Sequence, residues 1–210
     1  MAYAIKEMFF SLQGEGAQTG RPAVFCRFAG CNLWSGREAD RGDAACPFCD
    51  TDFVGVDGPN GGRYAVAEDV AIAIERAWAG GGDHRFVVFT GGEPLLQLDA
   101  ELLAAARRRG FMTAVETNGT LPLPSGIDWL TVSPKAGSRL VIEKGSEMKL
   151  VYPQAGIDPG DLEGLAFDHF WLQPMDGPAR DANTAAAIEY CLSHPRWRLS
   201  VQTHKLIGIP

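Results

Sequence analysis

Short apolar runs, separated by helical spacings or by turn-rich stretches, set the plan of this 210-residue chain. Residues 5–10 are apolar enough for a first strand, which runs into a loop holding Gly14, Glu15 and Gly16. Residues 23–28 alternate, with Val24, Cys26 and Phe28 on one face and Phe25 and Arg27 on the other. Residues 67–78 carry helical spacing through Val70, Ile74 and Ala77, and Glu68 and Asp69 occupy the first turn, where the helix dipole favours acids. Residues 86–90 form a continuous apolar run of the kind that is buried on both faces of a parallel sheet. Leu95, Leu98, Leu102, Leu103 and Ala106 mark a second helix, stopped by Gly110. Residues 112–117, 129–133, 147–152 and 170–173 predict further strands. Asp181 or Asn183 then caps a helix running to His194, and residues 199–202 predict a last strand.

Strands that alternate with helices or long connections indicate a parallel α/β architecture. Polar clusters recur just after the strands, and barrel-type α/β folds build their sites at the carboxyl ends of strands. The chain is shorter than the ~250 residues of a full eight-unit barrel. The expectation is therefore one domain over residues 1–210, folded as an incomplete TIM-type barrel of five or six strands with a mostly parallel sheet. Residues 31–49 lack periodicity and read as a long loop, a feature that in compact domains usually serves function. Residues 55–62 read as a turn-rich linker.

Charge narrows the function. A formal net charge of −7 argues against a nucleic-acid surface, which would show a basic stripe. The one basic cluster, Arg107, Arg108 and Arg109, falls at a helix end, where it complements the dipole. No apolar stretch approaches the ~20 residues that span a bilayer, and no charged leader precedes an apolar run, so a cytoplasmic protein is expected. In a reducing compartment, clustered cysteines mean metal or catalysis more often than disulfides.

Three of the five cysteines, Cys31, Cys46 and Cys49, lie in the long loop. Three thiolates with no evident fourth partner suit a metal centre with an open position, since a closed zinc site takes four ligands. A four-iron cluster held by three cysteines has one iron available for another ligand. Cys26 reads as a small buried hydrophobe, and Arg27 as either a snorkelling edge residue or a fork for a carboxylate.

These residues carry a resemblance. Cys46-Pro47-Phe48-Cys49 is similar to the second half of the cluster motif of the radical S-adenosylmethionine (SAM) superfamily, with the aromatic residue in place and the first spacing widened to an insertion between Cys31 and Cys46. Gly91-Gly92-Glu93-Pro94 resembles that superfamily's methionine-binding segment. With Ser11 to Gly16, Arg27 to Asn32, Glu116 to Gly119, Ser133 to Lys135 and Gln202 to Lys205, the chain resembles the 7-carboxy-7-deazaguanine synthases from residue 5 to residue 205. The resemblance implies a modified radical SAM core and a [4Fe-4S] cluster on Cys31, Cys46 and Cys49. It implies SAM contacts at Phe48, Asp50, Gly92, Glu116, Ser133, Pro134, Lys135, Gln173, Pro174, Met175 and Asp176, with Glu116 meeting the ribose. Substrate contacts are implied at Leu12, Gln13, Gly14, Glu15, Arg27, Thr90, His204 and Pro210, and magnesium at Thr51, whose oxygens suit that hard ion. The implied reaction converts 6-carboxy-5,6,7,8-tetrahydropterin to 7-carboxy-7-deazaguanine with loss of ammonia, in 7-deazapurine (queuosine) biosynthesis. A flavodoxin-like electron donor and a homodimer follow from the same resemblance.

Two other readings compete. A glycyl-radical activating enzyme uses the same cofactor on a protein partner, but it does not account for the Gln13 to Gly16 loop or the Gln202 to Lys205 segment. A zinc-binding interaction module built on Cys31, Cys46, Cys49 and Cys26 needs neither the Gly91 to Pro94 segment nor the strand-end motifs.

Overall fold

The computed structural model describes residues 2–210. Its strands are β1 (Tyr3–Leu12), β2 (Pro22–Phe28), β3 (Gly62–Tyr64), β4 (Phe86–Gly91), β5 (Met112–Thr117), β6 (Trp129–Val132), β7 (Lys144–Tyr152), β8 (Ala166–Pro174) and β9 (Trp197–Leu199). The helices are α1 (Ala67–Ala77), α2 (Ala100–Arg108), α3 (Pro159–Leu162), α4 (Arg180–Ser193) and α5 (Thr203–Ile207). All nine strands join one open sheet in the order β3-β1-β2-β4-β5-β6-β7-β8-β9. The run from β2 to β9 is parallel throughout, and β1 and β3 complete one edge antiparallel. The parallel set thus has seven strands rather than five or six.

The continuous apolar run of β4 has a direct explanation. Val87 and Phe89 face the main core beneath α1 and α2, together with Val24, Ile74, Leu102, Leu103 and Val115. Phe86 and Val88 point to the opposite, inner face, where they meet Ala23 and Ala114 in a smaller cluster. A strand apolar on both sides needs both faces covered, and β4 has both.

Several boundaries differ from the sequence expectation. The second helix does not begin at Leu95. Pro94–Leu96 makes a single 3-10 turn, and α2 starts only after Asp99, whose side chain accepts from the Leu102 amide as an N-cap. Neither Asp181 nor Asn183 caps α4; Ala179 precedes it, and Asn183 donates to the Met175 carbonyl instead, binding the helix to the end of β8. The last strand is Trp197–Leu199, starting two residues early; just past it the Ser200 amide still donates to the Leu172 carbonyl of β8, while Ser200 Oγ accepts from the Gly16 amide. Short β3, at the end of the expected linker, pairs Tyr64 with Tyr3. Arg108 and Arg109 serve more than the dipole of α2: both pair with Glu68 of α1, and Arg109 also pairs with Glu75.

The loop between β2 and β3 has a small core of its own. Trp34 packs edge-on against Phe53 at 5.6 Å, and the Arg41 guanidinium lies 4.2 Å from the Trp34 ring centroid. A 3-10 segment, Glu38–Asp43, fills the stretch between Cys31 and Cys46.

Candidate active site at the carboxyl ends of the strands

The parallel strands end around one cavity of about 410 Å³. Arg27 of β2, Thr90 of β4, Glu116 of β5, Ser133 after β6, Val151 of β7 and Gln173 of β8 all line it. Cys46, Phe48, Cys49, Asp50 and Thr51 form the wall supplied by the long loop, while His204 and Pro210 close the space from the C-terminal segment. Every residue to which the resemblance assigns a cluster, SAM, substrate or magnesium contact lines this cavity except Cys31 and Pro134. Pro134 is buried behind the wall, and its carbonyl accepts from Gln154 Nε2.

Cys31 stands beside Gly92. A Cβ added at Gly92 would collide with the Gly30 carbonyl and the Cys31 Cβ, and one added at Gly91 would strike the Phe28 backbone. The glycine pair therefore lets the Cys31 loop and the end of β2 lie directly against the end of β4. Glu93 fastens the same corner. Fully buried, it accepts from the Leu95 amide, the Thr117 hydroxyl and the Asn118 amide at 2.8–2.9 Å. Burial raises its pKa, with those donors opposing.

Cys46 and Cys49 are neighbours, and the interaction of the two thiols pushes Cys46 up and brings Cys49 down to about 6. Burial lowers the pKa of Lys135 next to them, and its ammonium donates to Ser133 Oγ at 2.6 Å and to the Ser133 carbonyl at 2.7 Å. Burial raises Cys31, and a 3.4 Å hydrogen bond from the Leu33 amide opposes it.

The model of the Radical SAM superfamily matches residues 40–147. Over full length on both sides, the chain is 64% identical to the 7-carboxy-7-deazaguanine synthase of Bordetella pertussis and 62% identical to that of Caulobacter vibrioides. The chain belongs to the 7-carboxy-7-deazaguanine synthase family. Its fold is also that of QueE from Escherichia coli, with a TM-score of 0.73 and 31% identity over 97% of this chain and 95% of that one.

A family of this kind brings a [4Fe-4S] cluster and SAM, and the residues present fit both. Among the described residues, no three His, Cys, Asp or Glu side chains converge on a point that would hold a single metal ion. A four-iron cluster instead takes each thiolate on a separate iron, so its ligands surround a volume. Cys26 lies in the main core and Cys191 on the outer helix α4, which leaves three cysteines at this corner. On the facing wall, Gln173 Oε1 is a buried acceptor with no hydrogen-bond partner among the described residues. Such orphaned atoms are uncommon unless a ligand meets them.

The sequence reading missed part of the site. Lys149 of β7 lines the cavity and forms an ion pair with Glu15. Glu7 accepts from Arg27 Nε at 2.8 Å. Lys205 donates to both Asp50 and Asp176 at 2.6 Å. Glu116, matched to a ribose contact, accepts here from Gln13 Nε2 at 2.9 Å and lies 3.7 Å from Lys149, at the substrate-loop end of the cavity. Neighbouring charges facing inward from β1, β2 and β7 were the available signal; in a strand such residues read equally well as a solvated face.

Proposed function

We propose that this chain converts 6-carboxy-5,6,7,8-tetrahydropterin to 7-carboxy-7-deazaguanine with loss of ammonia, as a radical SAM lyase of 7-deazapurine biosynthesis. The observation that carries this is the full-length identity to synthases of that name, together with a cavity that has Cys46 and Cys49 on one wall, Cys31 beside Gly92 at its edge, and Arg27 on another wall. When bound, the cluster and SAM supply one-electron cleavage of the sulfonium and abstraction of a hydrogen atom from the substrate.

The chain's own residues divide the remaining work. Cys31, Cys46 and Cys49 hold the cluster. Phe48, Asp50, Gly92, residues 133–135 and residues 173–176 receive SAM, with Gln173 Oε1 offering its unused acceptor. Glu7 takes the Nε–H of Arg27, which leaves the terminal nitrogens of the fork to bind the substrate carboxylate in two parallel hydrogen bonds. Leu12, Gln13, Gly14, Glu15, Thr90, His204 and Pro210 enclose the pterin. Docking of the C-terminal segment supports their convergence: the Thr203 amide donates to the Gly14 carbonyl at 3.0 Å, and Ser11 Oγ donates to the Pro210 carbonyl at 2.8 Å. Thr51 supplies an oxygen for magnesium, with the substrate contributing others. The family resemblance also supports a flavodoxin-like donor, a homodimer and a cytoplasmic setting. Among the described residues no helix is long and apolar enough to cross a membrane.

The test is anaerobic turnover of the cluster-loaded protein with reductant, SAM, magnesium and the carboxy-tetrahydropterin. The expected product is 7-carboxy-7-deazaguanine, identified by mass. Its absence from protein with a full iron complement overturns the assignment.

A further inference from the structure

Strand β7 contributes none of the residues that the motifs single out, yet it supports the loop that closes the substrate end of the cavity. Glu147 and Lys149 are two apart and therefore project from the same face of the strand, opposite Met148 and Leu150 of the main core. Glu147 accepts from the Ala17 amide at 2.8 Å and from Thr131 Oγ1 at 2.7 Å, and its carboxylate fills the space next to Gly16. One step along, the Lys149 ammonium forms an ion pair with Glu15 and lies 3.7 Å from Glu116 of β5. Gln13 Nε2 donates to Glu116 at 2.9 Å, and Gln202 Nε2 donates to Glu15 at 3.2 Å. One buried cation thus gathers two carboxylates from distant parts of the chain at the cavity wall.

We propose that Lys149 is a positioning residue, holding Glu15 and Glu116 as a paired acceptor for the amino and ring N–H donors on the pyrimidine edge of the substrate. This rests on the assignment of a pterin substrate. The chemistry matches: a 2-amino-4-oxopyrimidine presents adjacent N–H donors, and ionised carboxylates are acceptors only. The surroundings match as well. Glu15, Glu116 and Glu147 face one lysine, which leaves acceptor capacity that the protein does not use up. Burial opposes ionisation of Glu15, but the charge and hydrogen bond of Lys149 outweigh it and hold that carboxyl below its ordinary range, with His204 adding to the effect. Lys149 is itself buried; its neighbours Glu116 and Glu15 keep it protonated against the cost of burial.

The experiment compares wild-type holoenzyme with K149M, a variant close in length that lacks the charge. The measurements are KM and kcat for the carboxy-tetrahydropterin, calorimetric binding of 7-carboxy-7-deazaguanine, iron content, and substrate-free cleavage of SAM. The expected result is a rise of about tenfold or more in substrate KM with a parallel loss of product affinity, the scale of a buried charge-assisted hydrogen bond. Iron content and SAM cleavage stay at wild-type levels. Unchanged KM and product affinity in K149M overturn the proposal. Should K149M not fold, E15Q, E116Q and the double variant replace it. Carboxylates acting as one pair give a double variant little worse than either single one, whereas fully additive losses overturn the pairing. Failure of the substrate assignment looks different, because the wild-type enzyme itself then yields no deazaguanine and binds none.

Discussion

Lys205 Nζ lies 2.6 Å from Asp50 Oδ2 and 2.6 Å from Asp176 Oδ2. One side chain of the C-terminal segment therefore joins the residue after the last cluster cysteine to the residues that follow β8. The three partners are partly exposed, so each pair contributes modestly, on the order of 1 kcal/mol or less. The consequence is local order more than global stability. In K205M the amides of Gly208 and Ile209, which both donate to the His204 carbonyl, are expected to lose protection in hydrogen exchange while core strands keep theirs. Identical protection of those two amides in both proteins argues against the clasp.

Glu93 tests whether the corner between β4 and β5 is organised by one carboxylate. Glu93→Ala strands three donors in a fully buried place, those of Leu95, Thr117 and Asn118. Each buried unsatisfied group costs roughly 1–3 kcal/mol. A destabilisation of about 3 kcal/mol or more is expected from the denaturant midpoint, with E93Q costing less because it retains one acceptor oxygen. A loss in E93A below about 1 kcal/mol, the level of an ordinary surface change, contradicts this account.

Gly92→Ala has a narrower target. The added Cβ meets the Gly30 carbonyl and the Cys31 Cβ, so the Cys31 loop has to retreat from β4. Reconstituted G92A is expected to carry less iron and sulfide per chain than wild type. Gly164 is the control, since nothing lies within 4 Å of a Cβ added there. Equal iron in G92A, G164A and wild type shows that the close approach is not needed to load the cluster.

The cysteines separate in the same assay. Cys46→Ala removes a ligand and should abolish iron binding, whereas Cys191→Ala changes a half-buried residue of α4 and should leave iron content intact. Equal losses in both variants refute the division of the thiols. Metal analysis of anaerobically purified protein also decides the rival reading: zinc in place of iron and sulfide would make the site a structural one.

The strands were legible because β4, β5 and β8 depend on apolar runs that tertiary context does not override. The site was legible where glycine, cysteine or proline marked it, as from Gly91 to Pro94 and from Cys46 to Cys49. Lys149 was hidden because a charged residue alternating with Met148 and Leu150 fits a strand with one wet face, and only the curvature of the sheet turns that face inward. Asp99 was hidden differently. Leu95 and Leu98 keep helical spacing with Leu102, so the periodicity ran through a 3-10 turn and past the cap that starts α2. The insertion showed no period because its small core rests on isolated residues, Trp34 against Phe53 and Arg41 over Trp34.

The meeting of residues 11–16 with residues 200–210 also governs when this protein becomes competent. Ser11 and Pro210 are 199 positions apart, and Gly16 and Ser200 are 184 apart. Contacts of such separation form late, after the intervening sheet has closed the distance. During synthesis the cluster wall and most of the sheet can fold while the substrate end stays open to solvent, until residues 200–210 have left the ribosome. A chain truncated ahead of Ser200 therefore keeps Cys31, Cys46 and Cys49 but exposes them in an unfinished chamber. The wall that closes the substrate end is thus made after the wall that carries the cysteines.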